Sequence, residues 1–284
     1  MNERRGYGFI YSLAAASIVL VMAGGICAAD RNPFDTGFLP IYGFEVIKTY
    51  PHNPKAFTQG LVYRDGVVYE GTGRRGRSTL TSFDLFSGKV LQEIKMDRQY
   101  FGEGVTLFGD KVYQLTWTSK VGFVYQAEDL RQIKRFSIPF SGWGITHDET
   151  QLILSDGSMT LHYLDPITLK VVKDLPVRGP LGGVTGLNEL EYINGEILAN
   201  VFPTNQIARI DPVSGNVTSW VDLTQLRETH PGNTGTLNGI AYDPETDTIL
   251  ITGKNWAEIY GIRLVLRYER SVQPGGTERG RFFK

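Results

Sequence analysis

Short stretches of alternating apolar and polar residues, each interrupted by a turn, recur five times between residues 57 and 254. The first copy is Gln59-Gly60-Leu61-Val62-Tyr63, a turn at Asp65-Gly66, and Val67-Val68-Tyr69. Asp-Gly and Asn-Gly pairs between β-branched and aromatic residues are a strong short-range signal of a β-hairpin. The later copies begin at Glu103, Trp143, Asn188 and Asn238. The pattern therefore predicts five similar hairpins.

A second pattern follows the hairpins and predicts an outer pair of strands for each repeat. It occurs at residues 83–90, 164–171 and 210–217, with a weaker copy at 125–130. The five repeats begin 44, 40, 45 and 50 residues apart, close to the ~40–50 residues of one propeller blade. The sequence thus predicts an all-β fold, a five-bladed β-propeller with a central channel, over residues 30–270. A pair of β-sandwiches fits the length but does not explain the fivefold spacing.

The ends of the predicted propeller differ in pattern from its repeats. The apolar stretch at residues 41–50 is expected to close the ring by pairing beside strands near residues 260–268, because an unclosed ring leaves sheet edges open. Residues 271–284 contain Pro274-Gly275-Gly276 and no apolar periodicity. We expect this tail to be disordered.

The first 29 residues have the pattern of a secretory signal peptide. Arg4 and Arg5 precede a mostly apolar run at residues 8–26, and Cys27-Ala28-Ala29 supplies the small residues of a cleavage site. The run is also long enough to span a bilayer, so an uncleaved N-terminal anchor is the alternative. Either way, we expect an exported protein, periplasmic or secreted, that has no membrane contact beyond such an anchor.

Composition narrows the possible functions. The formal net charge is −1 and 41% of the residues are hydrophobic, which indicates a folded chain and argues against a nucleic-acid partner. The single cysteine excludes a disulfide scaffold, and the histidines lack metal-ligand spacing. No metal site or cofactor is expected, apart at most from a structural calcium ion in the channel, and we expect a monomer. The four histidines are His52, His147, His162 and His230.

The repeat register predicts which side chains meet at one mouth of the channel. The residues at the five strand starts form one ring: Gln59, Glu103, Trp143, Asn188 and Asn238. Residues about fourteen positions later, on the returning strands, form a second ring at the same level: Gly73, Trp117, Gly157, Phe202 and Lys254. Aromatic walls with a few converging polar groups suit a small amide-bearing ligand.

Several strings in these segments resemble glutaminyl-peptide cyclotransferases of the plant and bacterial type. They include Phe57-Thr58-Gln59-Gly60-Leu61, Phe101-Gly102-Glu103-Gly104 and Leu187-Asn188-Glu189-Leu190-Glu191-Tyr192. The similarity runs from about Ile47 to Ile262. It implies a five-bladed propeller enzyme, an aminoacyltransferase of the acyltransferase class, that converts the N-terminal glutamine of peptides and proteins to pyroglutamate and releases ammonia without a metal ion.

The resemblance also implies an active site. The family's positions carry over onto Phe57, Gln59, Glu103, Trp117, Trp143, Asn188 and Lys254. One position differs, because this chain has Phe202 where relatives usually have tryptophan after Ala199-Asn200. Phenylalanine retains apolar stacking but lacks the indole N–H donor. We therefore expect a shift in substrate preference.

The chemistry suggests roles for the polar residues. An N-terminal α-amine has a pKa of ~7.7–8.0 and is mostly protonated near neutrality, so its attack on the γ-carboxamide needs a base, and the leaving nitrogen needs a proton. Our hypothesis is that Glu103 shuttles this proton. Lys254 would either lower the pKa of Glu103 or stabilise the oxyanion, and the sequence leaves both roles open. Gln59, Asn188 and Asn238 would donate to the carbonyl or accept from the amine.

Each residue also has a structural interpretation. Glu103 would bind water or a structural cation, Trp117 and Trp143 would pack between blades, and Lys254 would extend to solvent. Asn188 and Asn238 would cap strand ends. The arginines of residues 74–77 fit a solvated loop at the rim that would attract acidic peptides. At the level of function, the alternative is a non-catalytic exported propeller that binds a small ligand or a partner protein at the channel mouth.

Overall fold

The protein was analysed as a computed structural model, which describes residues 39–230, 232, 234–272 and 278–282. The predicted signal segment, residues 1–29, lies outside the described residues. In the described part the regular secondary structure is β-strand apart from one short helix, α1 (Thr224–Glu228). The prediction of an all-β fold is confirmed. In the same residues no helix has the length and apolar character that crossing a bilayer requires.

Three sheets each contain four antiparallel strands in chain order. The first sheet consists of β2 (Thr58–Arg64), β3 (Val67–Thr72), β4 (Thr79–Asp84) and β5 (Val90–Lys95). The second consists of β6 (Gly102–Phe108), β7 (Lys111–Thr116), β8 (Val121–Gln126) and β9 (Gln132–Ser137). The third consists of β10 (Ile145–His147), β11 (Leu152–Ser155), β12 (Thr160–Leu164) and β13 (Val171–Pro176).

The remaining strands form two further groups of four and a small hairpin. The hairpin pairs β14 (Arg178–Gly179) with β15 (Gly182–Gly183). The fourth group consists of β16 (Leu187–Ile193), β17 (Glu196–Val201), β18 (Gln206–Ile210) and β19 (Val217–Asp222). The fifth consists of β20 (Leu237–Asp243), β21 (Thr248–Gly253), β22 (Glu258–Val272) and β1 (Ile41–Pro51). A short parallel pairing of β1 with β19 joins these two groups into one sheet.

The five predicted inner hairpins and four outer hairpins are confirmed by the strand pairing. The turn at Asp65-Gly66 shows why these dipeptides were informative. Both residues have positive φ, 52° and 84°, as a two-residue hairpin turn that matches the right-handed strand twist requires. Aspartate tolerates this region and glycine favours it.

The pairing of β1 with β22 confirms the expected partner of residues 41–50. The two strands are antiparallel, with Ile41 opposite Tyr268 and Thr49 opposite Tyr260. The N-terminal strand thus completes the sheet that the last repeat begins. This arrangement covers the edge of β22 that would otherwise have unpaired backbone groups.

Of the tail expected to be disordered, residues 271–284, only residues 271–272 and 278–282 are described, and these form strands. Strand β22 continues to Val272, and β23 (Glu278–Phe282) pairs antiparallel with it from Tyr268 onward. Tyr268 is also opposite Ile41 of β1, and the residues of β22 from Glu269 onward lie beyond those paired with β1. Because strand pairing uses backbone groups, it does not need the apolar periodicity that the tail lacks.

The innermost strand of each group contacts the innermost strands of at least two other groups. Strand β2 contacts β6 and β20, β10 contacts β6 and β16, and β16 contacts β20. The buried apolar residues form five clusters, and each cluster lies between two successive groups, including the fifth and the first. The core is therefore divided among the interfaces between sheets, which hold the starts of the inner strands close together.

Candidate active site

A β-bulge occurs at the start of four of the inner strands, at the predicted site residues. The pairing register shifts between Thr58 and Gly60, and between Gly102 and Val105. Equivalent shifts span residues 187–190 and 237–240. A bulge leaves extra residues outside the ladder and reorients their side chains. The bulges thus release Gln59, Glu103, Asn188 and Asn238 from regular strand geometry.

Glycines next to these residues allow the inner strands to approach one another. A Cβ atom at Gly60 would collide with the backbone of Val105 in the second sheet. One at Gly144 would collide with the carbonyl of Asn188 in the fourth group. Only glycine has no side chain at such a contact. The glycine that follows most of the predicted ring residues is therefore required by packing at the centre.

Hydrogen bonds link each group to the next around this centre. Gly104 N donates to Trp143 O at 2.7 Å, and Ser155 Oγ donates to Asn188 O at 2.6 Å. The remaining links run from Gly239 N to Asn200 Oδ1 at 3.0 Å, from Asn238 Nδ2 to Thr58 O at 3.1 Å, and from Gln59 Nε2 to Glu103 Oε2 at 2.6 Å. The last of these bonds belongs to the candidate site itself.

All predicted site residues except Asn238 line one cavity of about 300 Å³. They come from every group of strands, so distant segments of the chain meet there. The lining also includes one residue that the sequence analysis did not select, Phe101. The residues that line the cavity are Phe57, Gln59, Phe101, Glu103, Trp117, Trp143, Asn188, Phe202 and Lys254.

Glu103 is the acidic residue of the cavity lining. It is only 4% exposed, and its Oε2 accepts the 2.6 Å bond from Gln59. Burial raises the pKa of Glu103 well above its ordinary value, while the charge of Lys254 and the bond from Gln59 act in the opposite direction. A carboxyl group with a raised pKa can both accept and return a proton nearer to neutral pH.

Lys254 provides the cation of the cavity. Its Nζ lies 5.2 Å from the ring centroid of Phe57 and 5.1 Å from that of Phe202, which is cation–π geometry. Burial lowers the pKa of Lys254, and the charge of Glu103 opposes this shift. Among the described residues no ion pair joins Lys254 to Glu103. The ammonium is therefore not neutralised by direct contact with the carboxylate.

Asn238 lies behind the cavity wall, where it contacts Gln59. It is fully buried, and its Nδ2 donates to Thr58 O and, at 3.5 Å, to Gln59 Oε1. Gln59 in turn donates to Glu103. The three side chains form a relay in which Asn238 orients Gln59 and Gln59 orients the carboxylate. The side-chain amide of Gln59 is therefore hydrogen-bonded to both Asn238 and Glu103.

Asn188 differs from Gln59 in having an unused acceptor. It is 3% exposed and lines the cavity, and its buried Oδ1 has no hydrogen-bond partner. A buried acceptor without a partner is unfavourable by about 1–3 kcal/mol. An amine or amide N–H of a bound ligand would satisfy it.

Aromatic rings form the walls of the cavity. Phe101 packs edge-on against Phe57 and against Trp117, with centroids 6.3 and 5.7 Å apart, and Trp143 packs edge-on against Phe202 at 5.9 Å. Phe202 thus has a packing role in the wall at the position where the family resemblance implies tryptophan. Trp117 and Phe202 remain 40% and 39% exposed, and such exposed rings are available to a ligand.

The two glycines of the predicted second ring accommodate these walls. A Cβ at Gly73 would overlap the Phe101 ring, and one at Gly157 would overlap Trp143. The absence of a side chain at these two glycines leaves room for the aromatic rings. The side chains that line the cavity from that ring are those of Trp117, Phe202 and Lys254.

Phe101 could have been found from the repeat. It stands two residues before Glu103, as Phe57 stands two residues before Gln59. The two predicted rings contain only positions from the strand start onward. The aromatic residue that precedes the strand was therefore not included in either ring.

The described residues contain no group of three or more His, Cys, Asp or Glu side chains that could hold a metal ion. His52 instead forms a buried pair with Glu70 at 3.0 Å. His162 lies between Asp156 and Asp174. Glu189 accepts backbone N–H bonds from Leu61 and Ile240.

Comparison with known proteins agrees with the resemblance found in the sequence. A sequence model of the family described as glutamine cyclotransferase matches residues 18–264. Glutaminyl-peptide cyclotransferase of Arabidopsis thaliana is 42% identical over 226 residues, which are 78% of this chain and 71% of that protein. The crystal structure of Myxococcus xanthus glutaminyl cyclase matches with a TM-score of 0.75 and 31% identity, and covers 80% of this chain and 99% of that chain.

The family match spans most of the chain, and both relatives exceed 30% identity over at least 78% of it. The resemblance read from Glu103, Asn188 and their neighbours is thereby confirmed, and the chain belongs to the glutamine cyclotransferase family.

Proposed function

We propose that the protein is a glutaminyl-peptide cyclotransferase that converts N-terminal glutamine to pyroglutamate and releases ammonia. Its family membership supports this function. The observation that carries the proposal is a buried carboxyl group, Glu103, with a raised pKa in an aromatic cavity that also contains the Lys254 ammonium. The substrates would be peptides or proteins with glutamine at position 1.

In the first step, Glu103 would take a proton from the substrate's α-ammonium group. The raised pKa of Glu103 brings its basicity closer to that of the amine, which favours proton transfer near neutral pH. The Gln59 bond would hold the carboxylate in place. The unpartnered Oδ1 of Asn188 would accept an N–H bond from the same amine and orient its lone pair.

In the second step, the neutral amine nitrogen would attack the γ-carbonyl carbon and form the lactam C–N bond. The carbonyl oxygen becomes negatively charged, and the buried Lys254 ammonium would stabilise that charge. Glu103 would then return its proton to the carboxamide nitrogen as the second C–N bond breaks. The extra proton left on the lactam nitrogen would pass through the Glu103 carboxylate to the departing ammonia, so the products are pyroglutamyl peptide and ammonium ion. General acid–base transfer of this kind typically contributes ~10²–10⁴-fold.

The aromatic walls would lower the barrier by selecting one conformer. Nucleophile and electrophile belong to the same side chain, so the entropy cost is that of folding glutamine back on itself. Trp117, Trp143 and Phe202 surround a cavity of about 300 Å³, a volume at the lower end of small-ligand pockets. Binding there would favour the compact conformer.

We also propose that the five groups of strands are the blades of a five-bladed β-propeller with a central channel. The cyclic contacts of the inner strands and the five apolar clusters between successive groups support it. The N-terminal sequence pattern supports the further proposal that the protein is exported to the periplasm or secreted. We propose that it acts as a monomer, since all five groups of strands of the chain contribute residues to the cavity.

The mechanism, an acyl transfer to the substrate's own amine, needs no metal ion. The support for a metal-free reaction is that Lys254 is placed to perform the electrostatic role of a Lewis acid. We expect EDTA-treated enzyme to keep its full rate of ammonia release. Loss of activity in EDTA that returns on addition of a divalent cation would refute the metal-free mechanism.

The function is tested with a Gln-initiated dipeptide and an ammonia assay. We expect turnover by the wild type and at least ~10²-fold lower kcat in Glu103→Gln, because the carboxamide cannot accept the proton. Glu128→Gln, an exposed acid in the β8–β9 turn, is the matched control and should retain the wild-type rate. Near-wild-type turnover by Glu103→Gln, with an unchanged melting temperature, would disprove the shuttle.

A further inference from the structure

The connection between β3 and β4 carries three exposed arginines, Arg74, Arg75 and Arg77, beside the cavity. We propose that Arg74 and Arg75 recognise a carboxylate side chain on the residues that follow the N-terminal glutamine. The protein would then prefer acidic peptides of the sequence Gln-Glu, Gln-Asp or Gln-X-Glu. This inference rests on the proposed function and adds a substrate class to it.

Arg74 is fixed at one side of the cavity. Its guanidinium carbon lies 4.4 Å from the centroid of the Phe57 ring, which lines the cavity. Its Nη2 donates to Oδ1 of Asn255, the residue after Lys254, at 3.1 Å. Stacking on an aromatic ring holds a guanidinium while leaving most of its N–H donors free.

Arg75 is fixed near a second wall. Its Nη2 donates to Thr118 Oγ1 at 2.7 Å, and Thr118 follows the cavity residue Trp117. Among the described residues neither Arg74 nor Arg75 forms an ion pair with a carboxylate. Two guanidinium groups without a carboxylate partner are therefore held at two places on the cavity rim, one at the residue after Lys254 and one at the residue after Trp117.

Among the described residues, the charges of the connections into the inner strands differ from those of the inner hairpin turns. Strand pairing puts the connections that enter the inner strands at the same end as the cavity, and the inner hairpin turns at the other end. On the cavity side, the cations without an acidic neighbour in sequence are Lys55, Arg74, Arg75, Arg77, Lys120 and Arg178. By the same criterion, the acids without a cationic neighbour in the inner hairpin turns at the other end are Asp148, Glu149, Glu245 and Asp247, whereas Asp65 follows Arg64 and Asp110 pairs with Lys111.

This separation matters although the net charge is only −1. A cationic surface around a cleft attracts anionic ligands and raises their association rate. The carboxylates of the cavity-side connections do not cancel it. Asp97 and Glu228 each stand next to an arginine in sequence, and Asp156 pairs with His162.

The orientation of the bound peptide determines which of its residues lie near Arg74 and Arg75. Glutamine must enter the cavity with its α-amine near Glu103, so the following residues leave past the cavity rim. There a carboxylate would meet guanidinium groups that bind it through paired N–H donors. The C-terminal carboxylate of a short peptide has the same chemistry, and amidated peptides separate the two sources.

The experiment compares kcat/KM for C-terminally amidated Gln-Glu-Ala, Gln-Ala-Glu, Gln-Ala-Ala and Gln-Lys-Ala at low salt. We expect kcat/KM for at least one acidic peptide to be about 3- to 10-fold higher than for Gln-Ala-Ala, which is the effect that one or two exposed ion pairs allow. We expect kcat/KM for Gln-Lys-Ala to be lower than for Gln-Ala-Ala. Salt at about 0.5 M should reduce the difference in kcat/KM between acidic and neutral peptides, because dissolved ions screen the charges. Equal values for the acidic and neutral amides at low salt would overturn the proposal.

Variants test whether Arg74 and Arg75 cause the preference for acidic peptides. The double variant Arg74→Glu/Arg75→Glu should reverse the preference in favour of Gln-Lys-Ala. Arg131→Gln, an exposed arginine in the β8–β9 turn at the other end, should leave the preference unchanged. An acidic preference that persists in the double variant would also overturn the assignment.

The neutral amide separates this inference from the proposed function. If Gln-Ala-Ala amide and the acidic amides are cyclised equally well, the function stands and the arginine site is refuted. If the wild type cyclises none of them, the proposed function is refuted. Calorimetric titration with the same amides then decides the inference, and equal Kd values for acidic and neutral peptides would refute it.

Discussion

At the scale of single residues, Glu103 and Lys254 are two opposite charges buried in one cavity without direct contact. Burial shifts the pKa of each toward its neutral form, and each charge limits the shift of the other. The pKa of Glu103 is thus set by the balance between desolvation and an ammonium group at a distance. The two roles that the sequence left open for Lys254 can be separated by their pH dependence.

Replacing Lys254 with methionine removes the charge that lowers the pKa of Glu103. The pKa of Glu103 then rises further, and the base form appears only at higher pH. We expect the acidic limb of the kcat/KM profile to shift to higher pH in Lys254→Met, whereas Lys254→Arg keeps the wild-type limb. An unshifted limb with a uniform loss of rate at every pH would assign Lys254 to oxyanion stabilisation alone.

At the scale of elements, the site depends on the close approach of inner strands. Sequence periodicity predicted these strands correctly, since their hairpin turns and alternating residues are local signals. The bulges beside Gln59 and Glu103 were not predicted, because a bulge is a property of two paired strands. For the same reason Asn238 was expected in the pocket and lies behind Gln59.

Gly144→Ala tests this close approach. The added Cβ would meet the carbonyl of Asn188, a backbone atom that cannot rotate away. We expect a loss of about 1–3 kcal/mol in the free energy of unfolding, as for other overpacked positions, and reduced kcat, since Trp143 and Asn188 both move.

Urea denaturation of matched variants measures this effect. Gly179→Ala is the control, because a Cβ there has only ordinary contacts, and it should change the free energy of unfolding by less than about 0.5 kcal/mol. Equal stability of the Gly144 and Gly179 variants would show that the inner strands have room to separate.

At the scale of the whole molecule, β1 connects the beginning of the described chain to its last sheet. His52 follows β1 directly and is buried. Its Nδ1 lies 2.8 Å from Trp256 O and its Nε2 lies 3.0 Å from Glu70. Burial lowers the pKa of His52, but the Glu70 charge and the hydrogen bonds outweigh it, so the pKa is raised.

His52→Gln should therefore destabilise the protein most at acidic pH. A histidine whose folded pKa is raised stabilises the fold fully below its unfolded pKa, ~6.5, and loses that contribution as pH rises through the folded pKa. We expect a deficit of about 3–5 kcal/mol near pH 6, typical of a broken buried pair, and a smaller deficit near pH 9. Urea unfolding at both pH values measures it, and a deficit that does not depend on pH would contradict a charged His52.

The pairing of His52 with Glu70 was not predictable from the sequence. The histidine was noted only for its lack of metal-ligand spacing, and Glu70 occupies an alternating position in β3. Their contact arises because β1 and β3 belong to neighbouring groups in space. Phe101 was accessible in principle, since it repeats the position of Phe57, but only the cavity showed that the position matters.

The sequence by itself determined the strands, their hairpin order, the family, and most of the residues that converge on the cavity. It could do so because turn chemistry and alternation are local, and because a repeat places equivalent positions at equivalent levels. Only the tertiary structure decided that Asn238 supports Gln59 from behind, that Asn188 retains a free acceptor, and that burial raises the pKa of Glu103. Those properties depend on which atoms exclude water and which find partners, and packing between distant segments fixes both.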